Sequence, residues 1–219
     1  MVVAALVLGM GIGIAASLRG GSEPSAAAGS QCDYLDNAPA PSTVTDVGRP
    51  PAEPGDLGAL TAVATINGSP VTMRLDGSAA PCTAGSWEFL AAADYFDDTV
   101  CHRLTTSETL GVLQCGDPSG TGAGGPGYRF AEENLDGATY AAGTVAMANT
   151  GQPATTGSQF FLVHSDSELP PQYTVVGTIT DGLDVIRDIA AAGTVEGGTD
   201  GTPAAGAEVS DLVVERSPS

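Results

Sequence analysis

The feature that most constrains the fold is the division of residues 60–216 into short segments bounded by turns. The segment Thr61–Leu75 alternates apolar and polar residues on both sides of Asn67-Gly68, a dipeptide typical of two-residue β-hairpin turns. Only residues 81–93 and 183–191 place apolar side chains at helical spacing. Many short strands and two helices predict a mainly β domain, built as an antiparallel barrel or sandwich.

The residues that precede this domain have a different composition. Residues 2–18 are uncharged and apolar, at the short end of the length that spans a bilayer. No basic residue precedes them and Arg19 follows, which favours an uncleaved anchor over a cleaved signal peptide. The sequence therefore predicts a transmembrane anchor or signal segment over residues 1–18. It further predicts a Gly/Pro/Ser-rich linker over 19–59 and a folded domain over 60–219.

This organisation predicts a location at the cell membrane. A single N-terminal anchor would hold the domain outside the cytoplasm, and the protein would be secreted if the anchor were cleaved. The charge argues against nucleic-acid partners, because seven arginines and 26 acidic residues give a net charge of −19. Such a chain repels phosphate groups, so we expect no nucleic-acid partner and no membrane contact through a basic patch.

Several motifs in the domain are poor indicators of chemistry. Gly122, Gly124 and Gly127 fit a dinucleotide-binding pattern, but no strand leads in, no helix leads out and Pro126 interrupts. His102 could belong to a Ser-His-Asp triad, but the sequence has no GxSxG nucleophile motif. The acidic pairs at 97–98 and 132–133 are interpreted as solvated charges in turns. We therefore expect neither a cofactor nor a metal.

One arginine, Arg103, stands in the middle of a predicted strand. Downstream of it, amide side chains recur beside apolar residues at Gln114, Asn149 and Gln159, and the last of these is followed by Phe161. A groove with amide hydrogen-bonding groups, an aromatic floor and one arginine suits an extended peptide.

These motifs together resemble the cyclophilin signature in order and spacing, across residues 61–216. The matching runs are His102-Arg103, Gln114–Asp117, Met147–Asn149 and Gly157–Phe161. The resemblance implies a closed eight-stranded antiparallel β-barrel capped by two α-helices. It also implies peptidyl-prolyl cis–trans isomerase activity, and the N-terminal segments resemble those of membrane-tethered bacterial cyclophilins.

The resemblance also implies roles for individual residues. Arg103 would be catalytic and would stabilise the twisted amide of an X-Pro bond. The implied substrates are proline-containing peptides and exported client proteins. The remaining implied roles are peptide-backbone binding by Gln114 and Asn149, support of Arg103 by Gln159, a proline-pocket floor from Phe161, and room for the substrate backbone beside Ala148.

The sequence departs from the family pattern in the proline pocket. The run that ends at Gln114 lacks the usual Phe-Met pair, so Leu110 or Val112 is expected to fill that space. The loop between Arg103 and Gln114 is also longer than the common pattern. Leu169 and Tyr173 stand where the family often has Trp and His, which implies altered affinity for cyclosporin-like inhibitors.

Three functions remain open from the sequence. The first is an active isomerase that assists the folding of exported proteins. The alternative is a catalytically weak proline-peptide-binding or holdase module of the same fold, and the third is a structural envelope protein. An apolar side chain that reaches the pocket near Gly111 would favour catalysis over binding alone.

Four cysteines in an exported chain predict one or two disulfides, with unpaired thiols or a zinc site as alternatives. If Arg103 and Gln114 face the same groove, strand alternation places Cys101 and Cys115 on opposite faces. This disfavours a bridge between those two cysteines. It favours Cys82–Cys101 or a bridge through Cys32.

Overall fold

A computed structural model describes residues 31–37 and 43–217. Within these ranges, no helix is long and apolar enough to span a bilayer. The anchor predicted over residues 2–18 lies outside the described residues.

The described part of the chain is mainly β, with helices α1 (Pro81–Ala91) and α2 (Leu183–Ala191). The strands are, in chain order, β1 (Leu35–Asp36), β2 (Thr43–Val44), β3 (Ala59–Ile66), β4 (Ser69–Asp76), β5 (Thr99–Val100), β6 (Arg103–Ser107), β7 (Leu110–Cys115), β8 (Gly124–Gly125), β9 (Tyr128–Arg129), β10 (Thr144–Met147), β11 (Phe160–Ser165), β12 (Val175–Asp181), β13 (Asp200–Gly201) and β14 (Glu208–Arg216).

Ten of these strands form one curled antiparallel sheet in the order β13-β6-β7-β11-β10-β12-β4-β3-β14-β5. The prediction of a closed eight-stranded barrel is therefore wrong in strand number and in closure. The two additional strands, β5 and β13, have two residues each and form the two edges of the sheet. Cys101 and His102 interrupt the chain between β5 and β6, so β5 pairs with β14 while β6 pairs with β7.

The β3–β4 hairpin forms as predicted. Asn67 and Gly68 both have positive φ, at 49° and 76°, which is the conformation that a two-residue hairpin turn of this type requires. Alternate residues of β3 are buried, from Leu60 to Ile66, because one face of the strand packs on the core. The local sequence therefore determines both the turn and the buried face.

The core lies between the sheet and the two helices. Trp87 of α1 is fully buried, and its ring lies 4.5 Å from the ring of Phe160 on β11. Ile186 and Ile189 of α2 are also buried. The helices thus cover the core side of the sheet and leave the side chains of the opposite face available for a site.

All four cysteines form disulfides, as Cys32–Cys82 and Cys101–Cys115. The bridge through Cys32 was one of the two predicted alternatives. The prediction against Cys101–Cys115 is wrong, because Cys101 lies before the first residue of β6. The alternation that assigned the two cysteines to opposite faces applies only within regular strands.

Part of the segment predicted as a linker packs against the domain. Tyr34 is buried, and its ring packs edge-on against Tyr128 and Phe130 at centroid distances of 5.4 and 5.3 Å. Strand β1 pairs with β9, and β2 pairs with β8. An aromatic side chain and a disulfide provide the contacts that the Gly/Pro/Ser composition did not indicate.

Candidate active site

A groove of about 610 Å³ lies on the face of the sheet that bears Arg103. It adjoins a second cavity of about 700 Å³, with which it shares Gln114, Gly122, Ala148 and Asn149. Gln159 lines the second cavity. The structure therefore brings all ten predicted site residues to these two cavities. The predicted residues that line the first groove are Arg103, Leu110, Val112, Gln114, Ala148, Asn149, Phe161, Leu169 and Tyr173.

Strand register places three of the predicted residues in one row. Arg103 on β6 lies directly opposite Gln114 on β7, and Gln114 lies directly opposite Phe161 on β11. Side chains of directly opposed residues project from the same face of a sheet. The row therefore passes from a cation through an amide to an aromatic ring within three adjacent strands.

A chain of hydrogen bonds joins Arg103 to the glycine-rich loop. Arg103 Nη1 donates to Gln114 Oε1 at 3.3 Å, and Gln114 Nε2 donates to Gln159 Oε1 at 2.8 Å. Gln159 Nε2 lies 3.0 Å from both the Gly122 and the Gly124 carbonyl oxygens. Hydrogen bonds thus join Gln159 to Arg103 through Gln114.

The carboxylate of Asp117 organises the same loop. It accepts hydrogen bonds from the backbone N–H groups of Ser119, Gly122 and Gly124 at 2.7–3.0 Å. Burial alone would raise the pKa of Asp117, but the hydrogen bonds from the Ser119 side chain and these backbone groups outweigh it and lower the pKa. The charged carboxylate holds the loop in the shape that presents two carbonyl groups to Gln159.

Asp200 is a site residue that the sequence did not indicate. Arg103 Nε donates to Asp200 Oδ1 at 2.8 Å, and Arg103 Nη2 donates to Asp200 Oδ2 at 2.7 Å. This bidentate pair raises the pKa of Arg103 and lowers that of Asp200, so both groups are charged at neutral pH. Asp200 is 97 residues from Arg103 in a Gly- and Thr-rich segment, where no local pattern signals a partner.

The other end of the groove is apolar. Leu110, Val112 and Gln114 alternate along β7, so all three project toward the groove. Phe161 also lines this end of the groove and is 4% exposed. An apolar side chain therefore reaches the pocket on both sides of Gly111, the feature that favours catalysis over binding alone.

Tyr140 supports the apolar end although it does not line the groove. Its hydroxyl donates to the Tyr173 carbonyl at 2.9 Å and accepts from the Tyr173 N–H at 3.0 Å. Its ring centroid lies 6.1 Å from that of Phe161. Tyr140 thus fixes the backbone of Tyr173, which lines the groove. Nothing in the local sequence distinguishes Tyr140 from an ordinary core tyrosine.

The Asn149 side chain makes hydrogen bonds to two backbone groups. Asn149 Nδ2 donates to the Gln172 carbonyl at 2.8 Å, and Asn149 Oδ1 accepts from the Gly151 N–H at 2.9 Å. Asn149 therefore joins the chain that follows β10 to the segment that precedes Tyr173. Its predicted contact with a peptide backbone stays a prediction.

Comparison with known proteins identifies the family. A family model described as "Cyclophilin type peptidyl-prolyl cis-trans isomerase/CLD" matches residues 61–214. The chain belongs to the cyclophilin family. Proteins named "Probable peptidyl-prolyl cis-trans isomerase B" from Mycobacterium tuberculosis and Mycobacterium leprae are 42% and 43% identical to it. These alignments cover 88% and 87% of this chain and 67% and 68% of the relatives.

Solved structures agree with this assignment. A cyclophilin type peptidyl-prolyl cis–trans isomerase of Cryptosporidium parvum superposes with a TM-score of 0.63 and 26% identity, covering 73% of this chain and 99% of that protein. The same protein in the presence of the dipeptide Ala-Pro gives a TM-score of 0.62 and 25% identity, covering 72% and 99%. The chain is a cyclophilin-type peptidyl-prolyl cis–trans isomerase.

Two neighbours of Arg103 complete the site of this cyclophilin. Burial lowers the pKa of His102, so its ring is neutral at pH 7 and places no second cation beside the guanidinium. The Cys101–Cys115 disulfide joins the chain just before Arg103 to the residue just after Gln114. Within residues 31–37 and 43–217, no three His, Cys, Asp or Glu side chains group to hold a metal ion.

Proposed function

We propose that Arg103 accelerates the rotation of X-Pro bonds by stabilising the twisted amide. The planar amide has a rotational barrier of about 18–20 kcal/mol because of resonance. Rotation removes that resonance and leaves a lone pair on the proline nitrogen. A guanidinium N–H that bonds to this nitrogen, or to the adjacent carbonyl oxygen, favours the twisted state over the planar one. No covalent step or net proton transfer is needed.

One observation carries the proposal: a fixed guanidinium stands at the polar end of an apolar groove. Arginine has five N–H donors. In Arg103, two N–H groups donate to Asp200 and one donates to Gln114. Among the described contacts, one N–H on Nη1 and one on Nη2 remain for a substrate. The apolar side chains around Phe161 offer a complementary surface for the proline ring.

We further infer that the clients are exported proteins with X-Pro bonds. Two disulfides support an oxidising compartment, because such bridges persist mainly outside the cytoplasm. The apolar segment over residues 2–18 supports a membrane anchor that leaves the domain on the outer side. Leu169 and Tyr173, which line the groove, support an altered affinity for cyclosporin-like inhibitors.

The replacement Arg103→Ala tests the proposed chemistry. We expect kcat/KM for a short X-Pro peptide to fall by roughly 100-fold or more, because an electrostatic contact made to the twisted state is lost. We expect the free energy of unfolding to change by no more than about 0.5 kcal/mol, since the side chain is 40% exposed. The measurements are the cis-to-trans rate and the urea midpoint of the full chain.

Arg74→Ala is the matched control, because Arg74 is an exposed arginine on β4 that does not line either cavity. Both activity and stability of this variant should match the wild type. Normal activity in Arg103→Ala would remove Arg103 from its role. A folded wild-type chain that accelerates no X-Pro bond would favour the proline-peptide-binding or holdase alternative instead.

A further inference from the structure

Asp200 is held near Arg103 by the backbone and not only by the ion pair. Strand β13 adds to the outer side of β6, where Asp200 pairs with Thr105 and Gly201 pairs with Leu104. The Thr106 N–H also donates to the Thr199 carbonyl at 2.8 Å. Backbone pairing thus fixes the position of the Asp200 Cα independently of the contacts of its side chain.

A second carboxylate fixes the turn that carries β13. Glu196 accepts from the Thr202 N–H at 2.8 Å and from the Thr202 hydroxyl at 3.1 Å. The Val195 N–H donates to the Thr202 carbonyl at 2.8 Å, and a β-bridge joins Thr194 to Pro203. The segment from 194 to 203 is therefore an internally bonded loop that presents Asp200 to the groove.

The guanidinium of Arg103 is held from two sides. Asp200 takes Nε and Nη2 in a bidentate pair, and Gln114 takes Nη1. A bidentate pair fixes the plane of the guanidinium as well as its position. The Arg103 side chain is 40% exposed, so packing alone leaves it free to change rotamer. These hydrogen bonds remove that freedom.

We propose that Asp200 is a positioning residue of this isomerase, which fixes the Arg103 guanidinium so that its remaining N–H donors point along the groove. The proposal rests on the proposed function of Arg103. Asp200 acts through the arginine and not on the substrate. Its own side chain is 54% exposed, and an ion pair this exposed contributes little to folding. Its effect is therefore expected on the rate and not on stability.

The first test compares Asp200→Asn with the wild type in the full chain. We expect kcat/KM to fall roughly tenfold, because a misplaced catalytic group loses its alignment with the twisted amide. The loss should be in kcat, with KM nearly unchanged, since the planar ground state gains less from Arg103 than the twisted state does. Asp200→Glu, which keeps the carboxylate, should recover most of the rate.

The control is Glu88→Gln, which breaks a bidentate pair of the same chemistry between residues that line neither cavity. Arg216 Nε and Nη2 donate to the two Glu88 carboxylate oxygens at 2.6 and 2.8 Å. Asp200→Asn and Glu88→Gln should give similar urea midpoints. Only Asp200→Asn should lose activity. A purely structural role would give both variants the same kinetics.

A spectroscopic readout reports the position of Arg103 directly. The chain has seven arginines, so a spectrum of Arg Nε–Hε groups is simple, and Arg103→Lys identifies the Arg103 signal. We expect this signal to shift and broaden in Asp200→Asn and to be unchanged in Glu88→Gln. An unperturbed Arg103 signal in Asp200→Asn would overturn the proposal, because the guanidinium would then be fixed without Asp200.

The outcomes separate this proposal from the one it rests on. Full activity in Arg103→Ala would refute both. An inactive Arg103→Ala with a wild-type rate in Asp200→Asn would refute only the positioning role. A faster Asp200→Asn would show that the carboxylate competes with the substrate for Arg103, which also overturns it. In the Arg103→Ala background, Asp200→Asn should cause no further loss.

Discussion

At the scale of single residues, several side chains act through a neighbour and not on a ligand. The carboxylate of Glu133 accepts from the Cys82 and Thr83 N–H groups at 3.0 and 2.8 Å and so caps α1. Glu132 accepts from the Ala154 N–H at 2.9 Å and from the Thr155 N–H at 3.2 Å. The interpretation of this pair as solvated charges is therefore wrong. Carboxylates beside a turn find backbone donors that lie far away in the sequence.

Tyr140→Phe removes one hydroxyl that makes two hydrogen bonds to Tyr173. Each such bond contributes about 1 kcal/mol, so we expect the segment at Tyr173 to loosen and KM for an X-Pro peptide to rise roughly fivefold. Steady-state kinetics over a range of peptide concentrations measures this. A cyclosporin-like inhibitor should lose a similar factor in affinity.

The matched control for this prediction is Tyr34→Phe. It removes a hydroxyl that donates to the Cys82 carbonyl at 2.7 Å, at a site that lines neither cavity. This variant should lose stability but keep the wild-type KM. An unchanged KM in Tyr140→Phe would show that Tyr173 is held by packing alone.

At the scale of elements, the site depends on how β6 and β7 are joined at both ends. The two strands pair from Arg103–Gln114 to Ser107–Leu110. The Cys101–Cys115 disulfide closes the open end of this pair, next to the two site residues. At the closed end, the Ser107 hydroxyl and the Leu110 N–H are 3.1 Å apart. The longer loop before Gln114 thus forms a hairpin whose register is continuous from Arg103–Gln114 to Ser107–Leu110.

Replacement of both Cys101 and Cys115 by alanine tests this element. We expect the free energy of unfolding to fall by about 3 kcal/mol, the value for a closed loop of this length. We also expect kcat/KM to fall roughly fivefold, because the chain beside Arg103 and Gln114 gains freedom. Urea denaturation and the peptide assay measure the two effects.

A variant with both Cys32 and Cys82 replaced by alanine serves as the comparison. Its disulfide spans 50 residues, so its loss of stability should be at least as large. Its activity at a temperature where it is folded should stay near that of the wild type. Equal activity losses in the two variants would mean that general loosening, and not the β6–β7 connection, affects the site.

At the scale of the whole molecule, acidic side chains far outnumber basic ones. The net charge is −19, and the ion pairs among the described residues join Arg49 to Asp36, Arg103 to Asp200 and Arg216 to Glu88. The remaining carboxylates repel one another across the surface. The pKa of Asp97 is raised first by desolvation and also by the charges of its acidic neighbours. The hydrogen bond from the Leu212 N–H opposes this rise.

We therefore expect salt to stabilise the protein. Raising NaCl from about 0.01 M to about 1 M shortens the screening length from about 30 Å to about 3 Å and weakens the repulsion. The free energy of unfolding should rise by about 1 kcal/mol, or roughly 3 °C in Tm. Thermal denaturation by circular dichroism at constant pH measures this.

Sucrose at matched osmolarity is the control, because it acts by exclusion from the surface and not by screening. Because screening saturates as the Debye length becomes short, most of the NaCl effect should appear below about 0.3 M, whereas the sucrose effect should rise in proportion to its concentration. A fall of Tm with NaCl would show that the ion pairs contribute more to stability than the repulsion costs.

The sequence by itself determined the features that depend on neighbouring residues. The Asn67-Gly68 turn, the alternation along β3 and the alignment of Leu110, Val112 and Gln114 follow from backbone preferences and from the two-residue period of a strand. The ordered motifs from Arg103 to Phe161 also identified the family. These features are local, or are set by order along the chain, so they can be predicted without coordinates.

Only the tertiary structure decided which distant groups meet. The pairing of Cys101 with Cys115, the packing of Tyr34 on the domain and the ion pair of Arg103 with Asp200 join residues 14 to 97 positions apart. The two short edge strands, β5 and β13, exist because their backbone groups find partners on β14 and β6. Such contacts depend on where the completed sheet places each backbone segment, and short-range preferences contain no information about that position.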